Sequence, residues 1–224
     1  MFRVKQIAGI FLNVVIFGVL LFLPAGTLSW PRAWVLLGVI AVAATLSVFA
    51  IPEDLLNERY KPPIQRGQPV ADKVVIVLLL VSFIGTLVLI PIDVFRLHLL
   101  PAPGPIVSSI GLALFAVGWW LMTAAMVENA FAAPVVRHQA ERHQHVIDTG
   151  PYRIVRHPMY TSVIPFMIGM ALWLGSYAAA ILAILPIAVL TIRLLLEEKF
   201  LRRELPGYEQ YTTRTRFRLI PFVW

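Results

Sequence analysis

The sequence predicts an all-α integral membrane protein of about six transmembrane helices, the last two a tight hairpin, with a cytosolic pocket formed by the C-terminal region. Three observations carry this. Hydrophobic residues fill 59% of 224 positions and charged residues 14%, too apolar a balance for a water-soluble domain of this length. The apolar residues gather into six runs, and a bilayer needs about 20 residues of helix. The basic residues are sorted to one side of those runs.

The first run covers residues 7–23, after Arg3 and Lys5. A signal peptide begins similarly, but its apolar region is shorter and no small-x-small cleavage site stands out around 24–30, so a mature helix is expected. The second run, 33–51, follows Trp30-Pro31, whose indole suits the membrane interface. Residues 52–73 are polar and rich in charge and proline, and read as a loop with a short helix around 54–60. The third run is 74–92, followed by a proline-rich loop over 93–105. The fourth is 106–127, where Gly111 and Gly118 thin one side of the helix for close packing. Polar sequence occupies 128–157. The last two runs, 159–174 and 177–196, are separated only by Gly175 and Ser176 and must form a hairpin. Pro165 and Pro186 each remove a backbone hydrogen bond within them; paired kinks would open a cavity, unless the prolines are merely tolerated. The chain divides into an N-terminal four-helix region, 1–127, and a C-terminal region, 128–224.

With six crossings, the loops at 24–32, 93–105 and 175–176 share one side and carry only Arg32 and Arg96 of the 19 basic residues. The positive-inside rule then puts both termini in the cytoplasm. The net charge of +7 is explained by membrane lipids and topology, because the basic residues flank apolar runs and no polar basic domain exists for nucleic acid. The absence of cysteine excludes disulfides, thiolate metal ligands and a thiol nucleophile.

Residues 150–162, GPYRIVRHPMYTS, crowd a Gly-Pro turn, two arginines and a His-Pro step before an apolar helix. Pro158 suits the first helical position and His157 the cap, and the free N–H groups there, with Arg153 and Arg156 upstream, favour an anion. The end of the sixth run carries Arg193, Glu197, Glu198 and Arg202. Arg193 with Glu197, and Glu198 with Arg202, are four apart and share helix faces. Exposed, such pairs are worth only about 0.3–0.5 kcal/mol. The hairpin, however, returns them to the membrane face that holds His157 and Tyr160. A pocket with a helix start, two carboxylates and the rings of Tyr152, Tyr160, Tyr208 and Tyr211 results. Pro206-Gly207 ends the helix and lets the tail fold back as a lid. His138, His143, His145 and Glu141 lack tight ligand spacing, so no metal is expected.

The set GPYRxVRHPxY, an apolar hairpin, Glu197-Glu198, Leu201 to Glu204, Gly207 with Tyr211, and a closing Ile220-Pro221-Phe222 resembles the isoprenylcysteine carboxyl methyltransferase family. The related phospholipid methyltransferases are similar in the same region. Val136-Arg137 through Asp148-Thr149 also has the look of the family's approach to the motif. The resemblance covers about the last 95 residues, and departs at Ser162, where the family often has glycine. It implies S-adenosylmethionine (SAM) as cofactor. Glu197 and Glu198 would accept from its hydroxyls or amino group; His157, Pro158 and Tyr160 at the helix start would hold its carboxylate; Tyr152 or Tyr211 would flank its adenine or its cation. The acceptor would be lipophilic and enter from the bilayer. Methylation of a carboxylate needs an orienting arginine, Arg193 first and Arg156 second, whereas an amine or a thiol needs Glu197 or a histidine as base. A phospholipid amine N-methyltransferase, an NADPH-dependent sterol-type reductase and a non-enzymatic lipid transporter are the alternatives; the reductase lacks the basic residues expected for the phosphate, and the transporter lacks ionisable residues deep in the first five helices.

Overall fold

A computed structural model describes residues 2–59, 62–64, 68, 70–132 and 142–224, and every regular element among them is helical. In chain order these are α1 (Phe2–Ala25), α2 (Pro31–Ala50), α3 (Glu53–Arg59), α4 (Val70–Ile92), α5 (Pro105–Glu128), α6 (Pro158–Leu174), α7 (Tyr177–Leu182), α8 (Ile184–Glu204) and α9 (Tyr208–Arg214). Five stretches are long and apolar enough to cross a membrane: Gln6–Ala25, Pro31–Ala50, Val70–Leu97, Pro105–Glu128 and Tyr177–Glu204. The 17-residue α6 is shorter. Phe11, Leu46, Phe49 and Trp120 stand out from these helices as lipid-facing side chains.

Helices in lipid gain nothing from hiding apolar surface from one another, so close packing must hold them. It does so at α5 against α6. A Cβ on Gly111 would fall 2.7 Å from Trp173 N, and one on Gly118 would fall 2.6 Å from Phe166 N. Gly169 of α6 meets the α5 backbone from the other side, at Gly111 and Phe115. Ser162, where the sequence departs from the pattern it resembles, is fully buried at this same seam, where its Oγ donates to Met159 O at 2.6 Å. Its extra atoms therefore thicken the helix contact and stay out of the cavity described below.

The hairpin turns as its sequence requires. Gly175 takes φ of +106°, and the N–H groups of Gly175 and Ser176 both donate to Ala171 O, closing α6. Ser176 Oγ caps α7 by accepting from Ala179 N at 2.9 Å and donates to the buried Asp93 at 2.6 Å. The sixth apolar run is not one helix, however. It breaks at Ala183 into α7 and α8, because Pro186 has no N–H for the carbonyl four residues back and its ring crowds Leu182, the last residue of α7. Beyond the break α8 packs chiefly on α4. The third run also differs at both ends, starting at Val70 and continuing through a π-helical turn, Asp93–Leu97, into the predicted loop.

The two ends of the bundle are chemically distinct. One gathers Arg32, Asp93, Arg96 and the hairpin turn, with Trp173 Nε1 donating to Arg32 O at 2.8 Å and Gly26 lying beside Arg96. The other gathers α3, the GPYR turn at Gly150–Arg153, the start of α6, the end of α8 and α9.

Candidate active site

Along the last turns of α8, Arg193, Glu197 and Leu201 recur every fourth residue and so line one face, and Leu205 follows at the C-terminal cap. They form one wall of a cavity of about 250 Å³ whose other walls come from α4, the start of α6, α9 and the segments around 129–132 and 144–147. The space lies by the start of α6 and the end of α8, at the open end of the hairpin and away from Pro165 and Pro186.

At the end beside α4, Arg193 Nε donates to Asp72 Oδ1 at 3.3 Å, and Gln68 Nε2 donates to Asp72 Oδ2 at 2.6 Å. Tyr160 OH donates to Glu197 Oε2 at 2.5 Å, and the His157 ring stacks on Tyr160 with centroids 5.5 Å apart. Arg59, from α3, reaches the same space with Nη1 donating to Ala132 O at 2.9 Å. Ile76, Leu79 and Leu80 of α4 supply an apolar wall.

Behind the cavity the tail is fastened to the RHP motif. Glu198 accepts from Arg156 Nε at 2.5 Å on one oxygen and from Arg218 Nε at 2.9 Å on the other. Arg156 Nη1 donates to the carbonyls of Thr215 and Arg216, while the Arg156 and His157 backbone N–H groups donate to Phe217 O and Arg218 O. Thr161 Oγ1 donates to Leu219 O at 2.6 Å. Tyr211 OH donates to Tyr152 O at 2.8 Å, and Asn129 Nδ2 donates to the Tyr152 phenol at 3.2 Å. The expected lid is thus a bonded wall. Glu198 and Pro158 lie outside the cavity lining, Glu198 because both oxygens serve the arginines and Pro158 because it starts α6. His157, Tyr160, Tyr152, Glu197, Tyr211, Arg193 and Arg156 all line it.

Two polar atoms of the lining have no hydrogen-bond partner among the described residues, His157 Nε2 and Tyr208 OH. His157 Nε2 is 3.4 Å from Glu198 Oε1 but misaligned for a hydrogen bond. A buried polar group left unpaired costs about 1–3 kcal/mol, so a ligand that satisfies it binds with that advantage. Burial pushes the Tyr208 phenol up, and those of Tyr152 and Tyr211 likewise, so all three are neutral donors at physiological pH.

Residues 107–206 match the model of the phospholipid methyltransferase family. No curated protein matches the chain. The family match runs from α5 to the end of α8 and contains Tyr152, Arg156, His157, Tyr160, Arg193, Glu197 and Glu198. The chain is thus similar to that family over this stretch, and its apolar helices are those of an integral membrane protein. Arg59, Asp72 and Asn129 escaped the sequence reading. Asp72 gave one signal, an acid in the first turn of an apolar helix, but its partner is 121 residues away. Of the loose histidine cluster, His138 and Glu141 lie outside the described residues, as does the Val136-Arg137 approach; among the described residues no three His, Asp or Glu side chains converge on a metal position.

Proposed function

We propose that this chain is a SAM-dependent methyltransferase whose lipophilic acceptor reaches the site from the bilayer, with a carboxylate of the isoprenylcysteine kind as the favoured methyl acceptor. The cavity carries this reading. Unpartnered polar atoms, His157 Nε2 and Tyr208 OH, belong to its lining, and a guanidinium, Arg193, stands in it beside the apolar wall of α4.

The lining fits the cofactor. Tyr208 and His157 offer unused polar atoms, Glu197 can accept from a hydroxyl or amino group, and Tyr152 and Tyr211 offer ring faces. When bound, the cofactor supplies an electrophilic methyl group. The residues then have to align the acceptor with it and keep water out. A carboxylate with a pKa near ~4 is already ionised at neutral pH and needs no base. Arg193, steadied by Asp72, would orient it; Arg156 and Glu198 would act as positioning residues, holding His157 and the tail. The family match favours a second reading, an amine acceptor, in which Glu197 or His157 takes the proton. The loop charges favour a cytoplasmic position for both termini and the site.

The test is transfer of a labelled methyl group from SAM, in nanodiscs, to N-acetyl-S-farnesylcysteine and to phosphatidylethanolamine. A methyl ester releases labelled methanol in alkali, and an N-methyl group does not. Alkali-labile product that falls roughly 100-fold or more in Arg193→Met supports the carboxylate reading. Alkali-stable label on the amine lipid supports the second reading, and no transfer to any lipophile removes both.

A further inference from the structure

Arg59 closes the short helix α3, outside the stretch matched by the family model, yet it lines the same cavity as Arg193. Its bond is to a neutral partner, the Ala132 carbonyl at 2.9 Å. Among the described residues no carboxylate forms an ion pair with it. Burial pulls its guanidinium down from the usual arginine range, and the charge of Arg193 pulls in the same direction. Arg193, by contrast, is held by Asp72. Asp72 already balances the charge of Arg193, so the Arg59 guanidinium is a buried cation that no carboxylate among the described residues pairs, and an anion beside it offsets the cost of burying that charge. Arginine forks also suit the flat, two-oxygen face of a carboxylate.

Position along the cavity separates this feature from the unpartnered Tyr208 hydroxyl. The α8 stripe from Arg193 to Leu201 is 8 residues by number, roughly 12 Å of helix, and Leu205 lies beyond it at the cap. Tyr208 packs with Leu201, Leu205 and Tyr211 at the far end. The arginines stand at the near end with Ile76 and Leu80 of α4, and Leu80 is itself 43% exposed on the lipid-facing surface. An acyl or prenyl chain lying against α4 therefore brings its head group to the arginines first.

We propose that Arg59 and Arg193 together form an anion site at the α4 end of the cavity, which takes the ionised head group of the acceptor and makes that acceptor a lipophilic anion. This rests on the methyltransferase reading only for the ligand assigned to the rest of the cavity.

The probes are N-palmitoylglycine and its neutral analogue N-palmitoylglycinamide, each displacing a fluorescent fatty acyl ligand from the full-length protein in detergent. Calorimetric titration of S-adenosylhomocysteine (SAH) runs in parallel. The wild-type protein should prefer the anion at least tenfold. Arg59→Gln should lose most of that preference and Arg59→Lys should keep part of it, with SAH affinity within twofold of wild type in both. No preference in the wild type, or an undiminished one in a folded Arg59→Gln, overturns the proposal. So does a tenfold loss of SAH affinity with the anion preference intact, because the arginines would then serve the cofactor's own carboxylate. If the wild type binds no SAH but keeps its Arg59-dependent preference, the anion site stands and the methyltransferase reading falls.

Discussion

Glu198→Gln should loosen the whole rear wall of the site without removing a single cavity-lining residue. In the wild type the Glu198 and Arg156 side chains are 5% and 4% exposed, so their pair is dry, whereas Arg218 is 32% exposed. Removing one charge of a buried pair leaves the other uncompensated, at a cost of about 3–5 kcal/mol. The Arg218 contact, open to solvent, adds less than about 1 kcal/mol. The amide still accepts through its carbonyl oxygen but turns an NH2 toward one arginine. For a chain of this length each kcal/mol lowers the melting temperature by about 2–4 °C, so a fall of roughly 6–20 °C is expected. The tail should also detach early, since Arg156 ties it through the carbonyls of Thr215, Arg216 and Phe217. Thermal unfolding in detergent, combined with trypsin cleavage at Arg214, Arg216 and Arg218, reads both effects. A melting temperature within 2 °C of wild type with the tail still protected would refute the clamp, and with it the positioning role of Glu198.

Tyr208→Phe removes a buried hydroxyl that has no partner among the described residues, so stability without ligand should hold or rise by up to about 1–3 kcal/mol while SAH affinity falls several-fold; thermal shift and calorimetry separate the two. Gly118→Ala puts a methyl group against the Phe166 backbone, and should cost at least about 1–3 kcal/mol as overpacking, seen as a lower melting temperature. Tyr152, Tyr208 and Tyr211 predict alkaline sensitivity. Their folded phenols titrate above the ordinary value of 10.0, so above pH 10 the unfolded chain binds fewer protons than the folded one. Stability should be full below pH 10 and then fall by about 1.4 kcal/mol per pH unit for each, measured as melting temperature between pH 8 and 11.

Much of this molecule is written locally. The cap at His157-Pro158, the Gly175-Ser176 turn and the four-residue step from Arg193 to Glu197 each depend on neighbours in the chain, and each has its expected geometry. Gly111 and Gly118 announced a close helix contact, though not that its partner would be Gly169 of α6. What escaped depends on distant pairing. Nothing near Asp72 names Arg193, nothing near Arg59 says that α3 turns toward the cavity, and the split at Ala183 needed Pro186 to outweigh an unbroken apolar run. Glu197 and Glu198 look alike in sequence, but helical rotation of about 100° per residue points one into the cavity and the other into the arginine clamp.

The central claim is that the α8 cavity holds SAM, and calorimetric titration of the detergent-purified protein with SAH tests it most directly, in wild type and in His157→Ala and Glu197→Gln. Micromolar binding in the wild type, weakened at least several-fold by both substitutions in folded protein, is the predicted result. A folded wild-type protein that takes up no SAH, or variants that bind it as tightly as the wild type, would contradict the account.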